Sequence, residues 1–279
     1  MYGIMEYRII SGSVTEIRRA MMAYREDGQR VRRGTKAKKS SVKKILRNEL
    51  NAVKALARTL NCNFTCGDLW LTLTFEGDVG WATAQTVFDK FLRKLRTIYR
   101  RTRGTPLPYV YSCGRKSGEL DARPHFHIVL PAMAYEEITA LWPAGGVTYR
   151  RLDGRGDYTG VARYMISNAR GEEGKKKYHP SRGLKKPVYT EPVPVYAYGK
   201  IRIPKDVSIR EQTETRDEDT GFYTAYVRYV KRDNPSVAAE PRHLPLHKGG
   251  KGSGERERKG NDARVSPRTD SNKCSKSGG

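Results

Sequence analysis

Pro124-His125-Phe126-His127-Ile128-Val129-Leu130 is the stretch on which the fold turns. Its apolar and β-branched residues predict a strand over residues 124–130, and a strand alternates its side chains between two faces. That register sends His125 and His127 to one face and Phe126 and Ile128 to the other. Two imidazoles rigidly spaced on one sheet face make a partial site for a divalent metal, because each neutral ring offers a lone pair. Taken alone, a His-x-His is more often a pair of ordinary strand residues bonded to nearby carbonyls.

Outward from this strand, the pattern alternates between periods of two and of 3.6. Leu69-Trp70-Leu71-Thr72-Leu73-Thr74-Phe75 is β-prone and ends at the turn Glu76-Gly77-Asp78. A helix is expected over residues 81–101, burying Val87, Phe88, Phe91, Leu92, Leu95 and Ile98. Strands follow at 109–112 and 146–152, with helices at 135–141 and 158–169. This order predicts an α+β domain, a central and mainly antiparallel sheet flanked by helices. We set its bounds at residues 67–190. Residues 1–66 read as a basic helical N-terminal extension with two helices between 13 and 60. The first carries Ile17, Met21 and Tyr24 and stops near Gly28; the second carries Val42, Ile45, Leu46, Val53, Leu56 and Leu60. Residues 191–233 read as an accessory β-rich segment with a hairpin over 207–230. Residues 234–279, poor in apolar side chains, are expected to be a disordered basic tail.

Lysine and arginine number 54 against 30 acids, a formal charge of +24. Such a surface concentrates a polyanion, so nucleic acid is the expected partner, ahead of anionic membrane. No apolar run is long enough to span a bilayer, and the first residues lack the layout of a secretory signal. Four cysteines, irregularly spaced, do not make a disulfide scaffold. A cytoplasmic, DNA-associated protein is expected.

Three features in order resemble the HUH endonucleases, and among them the rolling-circle replication initiators of small phages and plasmids. Leu71-Thr72-Leu73-Thr74-Phe75 resembles their first motif and Arg123-Pro124-His125-Phe126-His127-Ile128-Val129 their histidine motif. Tyr158-Thr159-Gly160-Val161-Ala162-Arg163-Tyr164-Met165-Ile166-Ser167-Asn168 stands where the family has its tyrosine helix. The Leu141-Trp142-Pro143-Ala144-Gly145-Gly146-Val147 stretch is also similar to phage initiators. The resemblance implies Mg²⁺ or Mn²⁺ on His125 and His127, and a tyrosine that attacks single-stranded origin DNA. It implies a 5′-phosphotyrosine link and a free 3′-hydroxyl for polymerase. Tyr164 is the expected nucleophile, with Tyr158 and Tyr178 as weaker candidates. Many initiators place a second tyrosine four residues on and a lysine three residues on; here those positions are Asn168 and Ser167. The strand before the histidines often supplies a third ligand in the family, but Tyr111-Ser112-Cys113-Gly114-Arg115 contains no acid. Glu119 is therefore the candidate third ligand, with Asp121, Glu76 and Asp78 as further possibilities.

For contacts to DNA the sequence offers Arg93, Arg100, Arg123, Arg163, Lys175, Lys176, Arg182 and Lys185. No Gly-x-x-x-x-Gly-Lys-Ser/Thr loop occurs, so a helicase, like the polymerase, would come from the host. Two other readings compete. One is a basic DNA- or RNA-binding protein without catalysis, and the other is a transposase or relaxase with the same chemistry.

Overall fold

A computed structural model of the chain describes residues 2–23, 42–114, 123–169, 176–195, 200–216 and 222–231. Elements follow in the order β1 (Tyr2–Ser11), β2 (Val14–Ala23), α1 (Val42–Asn63), β3 (Leu69–Thr74) and α2 (Trp81–Arg103). Next come β4 (Val110–Gly114), β5 (His125–Leu130), α3 (Tyr135–Leu141), β6 (Val147–Arg151) and α4 (Thr159–Ser167). Short strands β7 (His179–Pro180), β8 (Val188–Tyr189) and β9 (Val193–Pro194) precede the hairpin of β10 (Val207–Arg216) and β11 (Tyr223–Lys231). The architecture is α+β with two antiparallel sheets, and β5 spans the residues that its alternation marks as a strand.

The first sheet has the order β6-β3-β5-β4-β7. Leu71, Leu73, Phe126, Ile128 and Leu130 fill one of its faces and are fully buried. There they meet α2, where Phe88 stacks on Phe126 with ring centroids 4.0 Å apart. Burying each such side chain contributes ~1.5–3 kcal/mol. The helix ends at Gly104, whose left-handed φ of 70° lets its N–H reach the Arg100 carbonyl at 2.9 Å. The opposite face carries Val110 and Val129. It packs against Leu56 and Leu60 of α1 and Ala162, Met165 and Ile166 of α4.

The second sheet corrects the N-terminal reading. Residues 14–23, expected as a helix, are strand β2, hydrogen-bonded on one side to β1 and on the other to β11. Ile17 and Met21 are four apart, a spacing that places two side chains on one face of a helix and equally of a strand. The local turn decides for the strand. Ser11 pairs with Val14 across Gly12-Ser13, and Gly12 has the positive φ of 58° that a two-residue hairpin turn needs. Residues 24–41, with Tyr24, Gly28 and the basic connector, lie outside the described residues, as does the tail beyond 231. The expected second helix is α1. Its Val53, Leu56 and Leu60 are buried, whereas Val42, Ile45 and Leu46 are exposed.

Helix α1 joins the two sheets through a buried ion pair. Arg58 donates to both carboxylate oxygens of Glu16 at 2.6 Å, and the Tyr226 hydroxyl donates to the same group at 3.0 Å. Burial works to raise the Glu16 pKa, but the Arg58 hydrogen bonds and charge outweigh it and hold the carboxyl below its ordinary range.

Candidate metal and tyrosine site

The face of the first sheet that looks toward α4 carries both histidines. His127 lies between Thr72 of β3 and Ser112 of β4, while His125 lies between Thr74 and Gly114. Their rings stand 5.0 Å apart, centroid to centroid.

Hydrogen bonding and burial prepare the two imidazoles differently. The Nδ1 atom of His125 is 3.2 Å from the Arg123 carbonyl. A carbonyl only accepts, so Nδ1 carries the proton and Nε2 keeps its lone pair. Nδ1 of His127 is 3.0 Å from the Thr72 hydroxyl, which can accept from it and so leave the Nε2 lone pair free. Burial, and then the neighbouring His125, push the His127 pKa down to about 4. The ring is thus neutral near pH 7.

Two observations bear on whether a divalent ion fits. His127 Nε2 is buried without a hydrogen-bond partner. A Cβ on Gly114 would lie 2.0 Å from His125 Nε2, so this glycine keeps the space beside that nitrogen open. Both features suit a pair of neutral nitrogen donors to a cation. Among the described residues no group of three or more His, Cys, Asp or Glu side chains comes together. Glu119 and Asp121 lie outside the described residues, and Glu76 and Asp78 are exposed beyond the end of β3.

Helix α4 crosses the same face. Tyr164 is 45 % exposed, yet its ring meets the edge of His127 at a centroid distance of 5.1 Å. Its other neighbour is Trp70, also at 5.1 Å. Tyr158 is buried at the start of α4, with its hydroxyl turned to the Asp153 carbonyl. Burial holds that phenol well above its ordinary pKa. Burial also raises Tyr178, which packs against the core cluster between α1, α4 and the sheet. Asn168, where a second tyrosine would stand, is the C-cap of α4, and its amide donates to the Tyr164 carbonyl at 2.9 Å. Ser167 donates to the same carbonyl at 3.1 Å.

The expected DNA contacts fall into three places. Arg123 and Arg163 are exposed and adjoin His125 and Tyr164 in sequence, on the histidine side. Arg93 and Arg100 are exposed on α2, which packs on the opposite face of the sheet. Arg182 and Lys185 line a cavity of about 580 Å³ with Asn61, Phe64, Pro108 and Tyr158. It borders the strand ends remote from His125. Asn63 fixes this loop with reciprocal bonds to the Lys185 backbone of 2.9 and 2.8 Å. Lys176 is exposed, and Lys175 lies outside the described residues. Sequence reasoning missed Trp70, Thr72, Ser112 and Gly114 as parts of the site. Their signal was alternation, since Trp70, Thr72 and Thr74 share one face of β3, as Ser112 and Gly114 do of β4.

Residues 68–169, a little over a third of the chain, match the ORF2-type family of replication-associated proteins. The matched segment contains both histidines, Tyr164 and the whole of α4. No curated protein and no solved structure matches the chain. No helix among the described residues is long and apolar enough to cross a membrane.

Proposed function

Since residues 68–169 form a replication-associated domain of the ORF2 type, we propose that the chain starts replication of a small replicon by nicking single-stranded origin DNA at Tyr164. The observation that carries this is the half-exposed Tyr164 ring against His127, on the sheet face that holds both histidines.

His125 and His127 would hold Mg²⁺ or Mn²⁺ through their Nε2 atoms, with a third donor from the loop that contains Glu119. When bound, the ion supplies charge to polarise the scissile phosphate. The Tyr164 oxygen attacks phosphorus and its proton passes to water. The Oη–P bond forms, the P–O3′ bond breaks, and the departing oxygen takes up a proton as a free 3′-hydroxyl. One phosphodiester replaces another, so bond energy is conserved for later strand joining. Arg123 and Arg163 stand beside the reacting groups in sequence and would hold flanking phosphates. With Asn168 committed to the helix cap, Tyr164 acts without a second tyrosine on its helix.

The test is mass spectrometry after incubation with a single-stranded origin oligonucleotide and Mn²⁺. The expected result is a DNA adduct on Tyr164 that disappears in Tyr164→Phe and in His127→Ala. An adduct on another tyrosine overturns the residue, and binding without any adduct makes the chain a DNA-binding protein only.

A further inference from the structure

The tyrosine helix is gripped at its start by a residue far outside the matched segment. Arg228, on β11 of the second sheet, forms ion pairs with Asp157 at 3.4 Å and with Glu211 at 3.2 Å, and it donates to the Thr159 hydroxyl. Asp157 in turn accepts from the backbone N–H and the hydroxyl of Thr159, at 3.1 and 2.6 Å. Asn61 of α1 accepts from the Tyr158 N–H at 2.9 Å. The side chains of Arg228 and Asp157 are only 12 % and 8 % exposed. At the other end of the helix, Ala169 forms a β-bridge to Gly114, the residue beside His125.

Between these two anchors α4 is held only by apolar contacts of Ala162, Met165 and Ile166. Apolar burial is non-directional and tolerates a small slide or rotation of the helix. Charged hydrogen bonds have fixed directions and do not. A buried ion pair is also a poor source of net stability, because desolvation offsets most of the attraction. What it supplies here is direction. Tyr164 lies five residues beyond Thr159, about 7.5 Å along the axis at the rise of an α-helix. The N-terminal anchor therefore sets the rotation that turns the Tyr164 ring toward His127.

From this geometry we propose that Arg228 is a positioning residue for Tyr164, so that the second sheet completes the nicking site although it lies outside the replication-associated segment. This rests on the nicking reading above. It touches neither DNA nor metal and acts through Asp157 and Thr159.

The experiment uses the full chain with Arg228→Met, and a second variant, Arg228→Met with Asp157→Asn, which removes both buried charges and covers a failure of the first to fold. Three quantities are read: the single-turnover rate of Tyr164 adduct formation, the affinity for the same oligonucleotide by fluorescence anisotropy, and amide hydrogen exchange across residues 159–167 without DNA. We expect the rate to fall roughly 10- to 100-fold, as a misplacement of about 1 Å would do. DNA affinity stays within about twofold, and exchange rises in α4 but not in β5. Rescue by Arg228→Lys at an intermediate rate is expected, since the charge is kept and the fork is lost. A folded variant with parental rate and parental exchange in α4 overturns the proposal. So does a rate loss that tracks lost DNA affinity. If the parent chain forms no adduct, the nicking reading fails, and exchange in α4 still decides whether Arg228 orders the helix.

Discussion

A methyl group at position 114 would sit 2.0 Å from His125 Nε2, so Gly114→Ala must push the imidazole aside. If that ring is a metal ligand, Mn²⁺ affinity measured by titration calorimetry should drop about 10-fold or more, the usual cost of disturbing a ligand's support. An unchanged isotherm would remove His125 from the metal site. His127 carries a different signature. Its folded pKa, about 4, lies below that of the unfolded chain, so acid protonates the unfolded state first. Its contribution to stability is whole above about pH 6.5 and is lost as pH falls from there toward 4, by ~3 kcal/mol at most. In the presence of a chelator, thermal melts should show the parent losing stability over that window more steeply than His127→Asn. Parallel curves would mean that the ring is not buried as described.

Between elements, the strongest single tie is Arg58 of α1 to Glu16 of β2. Arg58→Met leaves Glu16, with 4 % of its side chain exposed, buried opposite a methionine. A loss of about 3–5 kcal/mol in urea denaturation is expected, because an uncompensated buried charge remains. The elements themselves were legible in unequal degree. Strands β3 and β5 and helix α2 could be read because each has one periodicity that a neighbouring element rewards. Phe88 and Phe91 recur at helical spacing on α2, and Phe126 and Ile128 alternate on β5. Strand β2 could not be read from Ile17 and Met21, whose spacing serves both periods. Its decisive partner, β11, is remote in sequence, and only Gly12 marked the turn locally. The histidine pair was legible for the same reason as the strand that carries it. Trp70 and Ser112 were not, because their place beside His127 depends on cross-strand register.

For the molecule as a whole, the +24 charge predicts that single-stranded DNA affinity falls linearly with log salt concentration. The slope should be about −0.7 for each phosphate neutralised. Arg163→Ala, on the histidine side, should make that slope shallower by about 0.7. Arg93→Ala and Arg100→Ala, on the far face of the sheet, should leave it unchanged. Fluorescence anisotropy over a salt series checks both, and a shallower slope for either α2 variant would mean that the strand wraps around the sheet.

Strand β2 pairs with β11, residues 14–20 against 224–230. A ribosome releases the first long before the second. During synthesis the histidine sheet can close as soon as residue 180 has emerged, while β2 waits with one edge open. An open edge is a template for pairing with another copy. A chain interrupted before residue 224 should therefore aggregate through β2. With Arg228 the clamp on α4, the newborn chain also stays unable to cut until its last strand arrives, a delay written into the order of translation.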